Sequence, residues 1–357
     1  MEYKFDQIAY NLTAHRLPTK EDMKYYIGLE HLESGSLDVH EYGSAVEIKG
    51  EKLIMTKGDI LLGKRNAYLR RAAIAPHDGL FSAHGMILRP KENVIDKDFF
   101  PFFIASDIFF DEAIRISVGG LSPTINWKDL KELSFNLPPL SEQKLLADKL
   151  WAAYRVKESY RKLLSATDDM VKAKFVEMFG DADTANNRVS FEEAFEIRDN
   201  LRKPLNDTVR SGMHDGTLYP YYGANGLVDR INQYMIDMTA LCLAEDCGDF
   251  AAGGQSAYII SGKSWVNNHA HILVPKPCCQ IEYAEMLFKI MDLSLFVDND
   301  NRQKLTQANM RKIKILLPPL ALQQQFVTLA TQAEATKASL RQSIESIDKV
   351  IRSLINQ

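Results

Sequence analysis

NLPPLSEQ, residues 136–143, returns as LLPPLALQ at residues 316–323, and each copy opens onto a long run of mixed polar and apolar residues. Paired prolines remove two backbone donors and fix two φ angles, so they end a strand and start the element that follows. A chain that writes this break twice, 180 residues apart, folds as a tandem repeat. Upstream, SPTINWKDLKELSFNLPPL lies over RQKLTQANMRKIKILLPPL, which places Ile125 on Leu305, Leu130 on Met310, Leu133 on Ile313 and Phe135 on Ile315. Both copies read as a short helix followed by a strand.

Downstream, both copies become helical. Leu146, Leu150, Ala153, Lys157, Tyr160, Leu164, Thr167 and Val171 alternate steps of four and three. Phe326, Ala330, Ala333, Lys337, Leu340, Ile344, Ile347 and Ile351 repeat the pattern at the same offset. These are two heptad seams, and their length and polar outer faces predict that the helices pair with each other. The globular parts repeat more faintly: FSAHGMIL (81–88) matches VNNHAHIL (266–273), and KFDQIAYNL matches SFEEAFEIR. YYIGLEHLESG and YPYYGANGLVD read as corresponding tyrosine-glycine turns. The expected division is a domain at 1–140, a helix at 141–180, a domain at 181–320 and a helix at 321–357.

A hydrophobic fraction of 46% over 357 residues supports sizeable cores. No uninterrupted apolar run reaches membrane-spanning length, and MEYKFDQIAYNLTAHRL lacks the apolar centre of a signal peptide, so a cytoplasmic protein is expected. Cys242, Cys247, Cys278 and Cys279 then read as reduced core thiols, in a spacing that fits no zinc pattern well. A net charge of −4 argues against indiscriminate nucleic-acid binding but leaves room for a local basic face. Catalytic signals are weak. Asn136-Leu137-Pro138-Pro139 only mimics an adenine-methyltransferase loop, and no Walker A lysine loop or strand-linked glycine loop is present. Asp38 with Glu47-Ile48-Lys49 is a faint echo of a nuclease site. A stand-alone methyltransferase or nuclease, and a coiled-coil adaptor without a DNA role, stay open as alternatives.

The order domain, helix, domain, helix, with LPPLSEQ and a helix closing on Phe175-Val176-Glu177-Met178-Phe179-Gly180-Asp181, resembles the specificity subunit of type I restriction–modification enzymes. The resemblance covers essentially the whole chain, and YYGANGLVD and WVNNHAHIL look like that family's target recognition domains. The chain is somewhat compact for the family, and Ala321-Leu322-Gln323 is a weaker hinge than Ser141-Glu142-Gln143. The resemblance implies an α+β fold: two target recognition domains of mixed α/β structure joined by two long antiparallel coiled-coil helices with pseudo-twofold symmetry. It implies a non-catalytic subunit whose domains each read half of a bipartite site in double-stranded DNA, with the helices setting the spacer. It also implies two modification subunits and restriction subunits as partners, with S-adenosylmethionine, ATP and magnesium bound there and no cofactor or metal in this chain. Helix pairing would rest on Leu146, Leu150, Tyr160, Leu164 and Val171 against Phe326, Leu340, Ile344, Ile347 and Ile351.

Lysine and arginine to phosphates set register on DNA, while donors and acceptors at base edges carry specificity. In the first domain, GKRNAYLRRAAIAP (63–76) supplies Lys64, Arg65, Asn66, Tyr68, Arg70 and Arg71 with no acid among them. SVGGLSPTIN (117–126) is a second candidate loop, through Gly119, Gly120, Ser122, Thr124 and Asn126. In the second domain DNDNRQKLTQANM (298–310) occupies the corresponding place, with Asn301, Arg302, Gln303, Lys304 and Gln307. Tyr222, Asn225, Asn267 and Asn268 are further candidates, though asparagines commonly cap turns. His84 and His269, at matching positions, read as hydrogen-bonded structural residues.

Overall fold

The computed structural model describes residues 1–298 and 303–355. The chain forms two compact units: Met1–Arg161 with the chain from Arg341 onward, and Lys162–Leu340. The long helices, Leu140–Phe179 and Leu320–Ile355, are each divided between the units. Each unit therefore holds one lobe and a portion of both helices.

The lobes share a four-stranded antiparallel sheet. In the first unit its order is Ala9–Leu12, Met86–Pro90, Ile60–Leu62, Ala72–Ile74. In the second it is Phe195–Ile197, Ala270–Pro275, Ala240–Ala244, Ala257–Ile260. Both faces are covered, so the strands read as apolar runs whose alternate residues enter different cores. Ile60, Leu62 and Leu88 pack toward the helices, whereas Leu61, Ala73 and Ile87 face a second sheet. Leu241, Leu243 and Leu273 separate in the same way from Cys242, Ile260 and Ile272. The second sheets differ. His15–Arg16, Lys52–Met55 and Gly79–Phe81 are all antiparallel, while Tyr219–Gly223 runs parallel to Lys263–Val266. The expected match between the tyrosine-glycine segments fails here: YPYYGANGLVD is a hairpin, but the other segment holds the 3-10 turn Leu29–His31.

The hinge is built identically in both units. A strand near the start of each lobe pairs with the strand before the prolines: Glu2–Lys4 with Ser134–Asn136, and Arg188–Val189 with Ile315–Leu316. The buried Gln143 side chain accepts from Asp96 N (2.8 Å) and donates to Val94 O (3.1 Å) and Pro138 O (2.9 Å). Gln323 accepts from Gln280 N (2.8 Å) and donates to Cys278 O (2.9 Å) and Pro318 O (2.7 Å). The residues that made the second hinge look weaker, Ala321 and Leu322, are exposed, as are Ser141 and Glu142. Beyond Leu-Pro-Pro-Leu, the glutamine is what the two turns share.

No residue of either expected seam is exposed. In the first unit Lys157 Nζ, on a side chain 5% exposed, meets Asp348 at 2.6 Å and also donates to Gly35 O. In the second unit Lys337 Nζ meets Asp168 at 2.5 Å, and Phe326 packs on Phe175 and Phe179. Rising numbers on one helix meet falling numbers on the other, so the helices run antiparallel within the second unit. Lys157 and Lys337, and Asp168 and Asp348, stand at the repeat offset, so the two ion pairs are counterparts.

Gln143→Ala and Gln323→Ala each strand an amide and two carbonyls inside the protein. Each is expected to cost about 2–3 kcal/mol in urea unfolding, since an unsatisfied buried polar group costs about 1–3 kcal/mol. A loss below about 0.5 kcal/mol at either position would show that the hinge does not depend on the amide.

Candidate nucleic-acid interface

In the first lobe, strand Ile60–Leu62 runs out into Gly63-Lys64-Arg65-Asn66, which is stitched to the 117–126 segment by backbone bonds. Ile125 N donates to Lys64 O (2.9 Å) and Ala67 N to Pro123 O (3.1 Å), while Val118 and Thr124 exchange bonds at 3.0 and 2.9 Å. Side chains extend the stitching: Arg65 Nε donates to Ser122 Oγ (2.9 Å), which donates to Asn66 Oδ1 (2.7 Å). Two segments chosen separately from sequence thus form one corner holding Lys64, Arg65, Asn66, Ser122, Thr124 and Asn126. Gly119, at φ 118°, rounds the adjoining turn, where a Cβ would lie 3.2 Å from Ser122 O, and Gly120 has open space beside it. Tyr68 is 56% exposed.

Arg70 and Arg71 are engaged elsewhere. Arg70 pairs with Asp107 and Asp111, both at 2.5 Å, and Arg71 donates to Leu29 O at 2.8 Å. Both serve the lobe's own structure, which sequence could not reveal because the partners lie far along the chain.

The second lobe builds the same corner from opposite charges. Strand Ala240–Ala244 runs out into Glu245-Asp246-Cys247, Leu305 N donates to Glu245 O (2.7 Å), and Asp298 and Lys304 exchange bonds at 3.0 and 3.1 Å. Glu245 therefore occupies the place of Lys64, and Asp246 that of Arg65. Among the described residues, the non-glycine residues with left-handed φ are Asn66, Arg70 and Cys247, with Asn66 and Cys247 both at 55° in equivalent positions. Backbone held in this uncommon region is stabilised by its surroundings and concentrates at sites of function.

The carboxylates here are compensated. Glu245 accepts from Arg202 and, at 2.8 Å, from Lys304, and Asp246 pairs with His269 Nδ1 at 2.9 Å. Burial pushes the Glu245 carboxyl up, but bonds from Lys304 and Arg202 outweigh it and hold the group below the ordinary carboxylate range. Asp199 behaves alike: burial raises it, and the bond and charge of His271 bring it below the usual value. Sequence reading passed over Asp199, Glu245, Asp246 and His271. The available signal was an acid pair placed directly after the apolar strand ALCLA, where ILLGKRN has bases.

Lys304 is half exposed and Gln303 exposed at this corner, whereas Gln307 Nε2 is held by Asp199 Oδ2 at 3.0 Å. Asn301 and Arg302 lie outside the described residues. Asn225 Nδ2 donates to Cys247 O (2.9 Å), and Asn267 accepts from His269 N (2.8 Å) in a turn. Asn268 O accepts from Arg202, and half-buried Tyr222 packs beside Tyr258. His269 is hydrogen-bonded as expected, but His84 is exposed. All four cysteines are free, yet Cys247 and Cys278 are exposed, which corrects the expectation of four core thiols. Asp38, His40 and Glu158 bring candidate ligand atoms within 4.8 Å of one another, with Tyr154 donating to Asp38 and Arg161 to Glu158.

A duplicated α+β fold, with one loop corner per lobe and a glutamine-locked helix after each, defines the class. The family described as "Type I restriction modification DNA specificity domain" matches residues 16–163 and 189–349, and the chain belongs to that family. A putative type I restriction enzyme specificity subunit of Haemophilus influenzae is 31% identical over 138 residues, 39% of this chain and 34% of that protein. The EcoDI specificity subunit of Escherichia coli is 29% identical over 142 residues, 39% of this chain and 31% of that protein. The chain's matches thus span about a third of the length of these curated relatives. The S subunit of a type I restriction–modification system from M. genitalium has a similar fold, at TM-score 0.55 and 14% identity, covering 99% of this chain and 94% of that one. A chain from a type I R-M system studied for complex assembly and conformational transition matches at TM-score 0.56 and 16% identity, covering 100% and 96%.

Depressed carboxyls stabilise the fold above their ordinary pKa of about 4, and that contribution is lost as pH falls through the depressed value. Asp199→Asn is therefore expected to lower the urea midpoint at neutral pH and to flatten its decline below about pH 4. A variant with the wild-type acid profile would show that the Asp199 charge contributes nothing.

Proposed function

We propose that this chain is the non-catalytic DNA-specificity subunit of a type I restriction–modification complex, each lobe reading one half of a bipartite duplex site. The observation that carries this is the repeated corner: the same strand exit, left-handed residue and partner loop occur in both lobes with different side chains. A common scaffold presenting different chemistry suits two readers of different sequences. The pairing of the helices in each unit supports a spacer of fixed length between the half-sites. DNA dyads fit a half-turn relation between two like readers.

Methyl transfer and cleavage would then belong to partners: two modification subunits and the restriction subunits, with S-adenosylmethionine, ATP and magnesium bound there. Leu163 and Met170, seven residues apart and about half exposed on the first long helix, offer an apolar face for such a partner. Among the described residues no helix is long and apolar enough to cross a membrane, and the cytoplasm, where host DNA lies, is the proposed location.

Methylome mapping of a host carrying this chain and its partners tests the reading. A bipartite motif absent from a host lacking the chain is expected, while unchanged methylation would reject it. Lys64→Ala should weaken DNA binding and reduce the salt slope by about one; unchanged affinity and slope would remove Lys64 from the interface. Adding one heptad to each helix lengthens the pair by about 10 Å, so the gap between half-sites should grow by about three base pairs. A motif with its original gap would reject the helices as a ruler.

A further inference from the structure

His271 lies in strand Ala270–Pro275, fully buried, with both ring nitrogens occupied. Nδ1 stands 2.7 Å from Asp199 Oδ2, and Nε2 stands 2.8 Å from Leu305 O. Carboxylate and carbonyl oxygens only accept, so both bonds are made at once when the ring carries a hydrogen on each nitrogen. A buried cation needs surrounding negative charge. Asp199 supplies it, with Glu245 Oε2 at 3.9 Å, and Arg202 pairs with both of these carboxylates. Lys304 reaches Glu245 from the partner loop.

The bonded carbonyl belongs to the residue that meshes the two segments of the corner, since Leu305 also donates its N–H to Glu245 O. His271 therefore grips the segment 303–307 at Leu305, and Asp199 holds Gln307 two residues further on. The first lobe has no such device. Strand register places Met86 opposite Leu62 where His271 stands opposite Leu243. Met86, Lys64 and Trp127 there line an open cleft of about 340 Å³.

We infer that His271, held by Asp199, is a positioning residue for base discrimination at the half-site read by the second lobe, and that the first lobe reads its half-site without an equivalent. The inference rests on the specificity-subunit reading and adds an asymmetry between the half-sites. Loop residues act on base edges only when held at hydrogen-bond distance, and a mismatched pair costs about 1–3 kcal/mol. Releasing that segment should erode that difference at one half-site only.

The test uses the full chain assembled with its modification subunits, on duplexes carrying the mapped site or single base changes in either half. His271→Met installs the first lobe's residue, and Asp199→Asn removes the charge with little change of shape. Both variants are expected to lose about ten-fold in cognate-over-changed binding at one half-site and to stay within about two-fold at the other. An equal loss at both half-sites, or no loss in a folded variant, overturns the inference. If His271→Met does not fold, the Asp199→Asn result decides. A wild-type complex that discriminates at neither half-site would overturn the specificity-subunit reading, and this inference with it.

Discussion

A buried primary amide with three partners is what the rest of the structure depends on. Gln143 and Gln323 each sit in the first turn of a long helix, where backbone groups have no helical partner, and fasten that turn to a lobe by one accepted and two donated bonds. A carboxylate could not donate, and an ammonium could not accept. Glutamine is the residue type long and dual enough to serve, which is why it recurs where Ser141 and Glu142 give way to Ala321 and Leu322.

The second constraint is charge placed inside a helix seam. Lys157 and Lys337 occupy positions where an aliphatic residue would pack without desolvation cost, and each is matched by an aspartate from the other helix. Burial pulls the Lys337 ammonium down, yet Asp168 and Glu334 more than offset it, leaving it above the ordinary value. Buried ion pairs are weak sources of stability but strong selectors of register, because a slipped pairing leaves a cation unmatched. Here the register so selected is the repeat itself, since each pair is the other's counterpart by sequence offset.

On this common frame the lobes diverge at the corner proposed to meet DNA. The first presents Lys64 beside an Arg65 held by the Ser122 hydroxyl, with Arg70 drawn to acids and Arg71 to a backbone carbonyl. The second presents carboxylates neutralised by Arg202, Lys304 and His269, over a buried histidine. The backbone path is held constant while its chemistry is exchanged.

Sequence alone determined the duplication, the proline hinges and the helix seams. Each is written in local order, at spacings of three and a half or 180. It also brought Lys64–Asn66 and Ser122–Asn126 forward as candidates, because a basic run and a glycine-bearing loop are local signals. Tertiary structure decided what no spacing encodes: that Arg70 faces Asp107, that Arg202 and Lys304 meet Glu245, and that His271 meets Asp199 and Leu305. Those outcomes depend on residues tens of positions apart arriving at one place. An ionic or hydrogen-bonding side chain reads the same in sequence whether it faces solvent, a partner or a core, and only the fold assigns its partner.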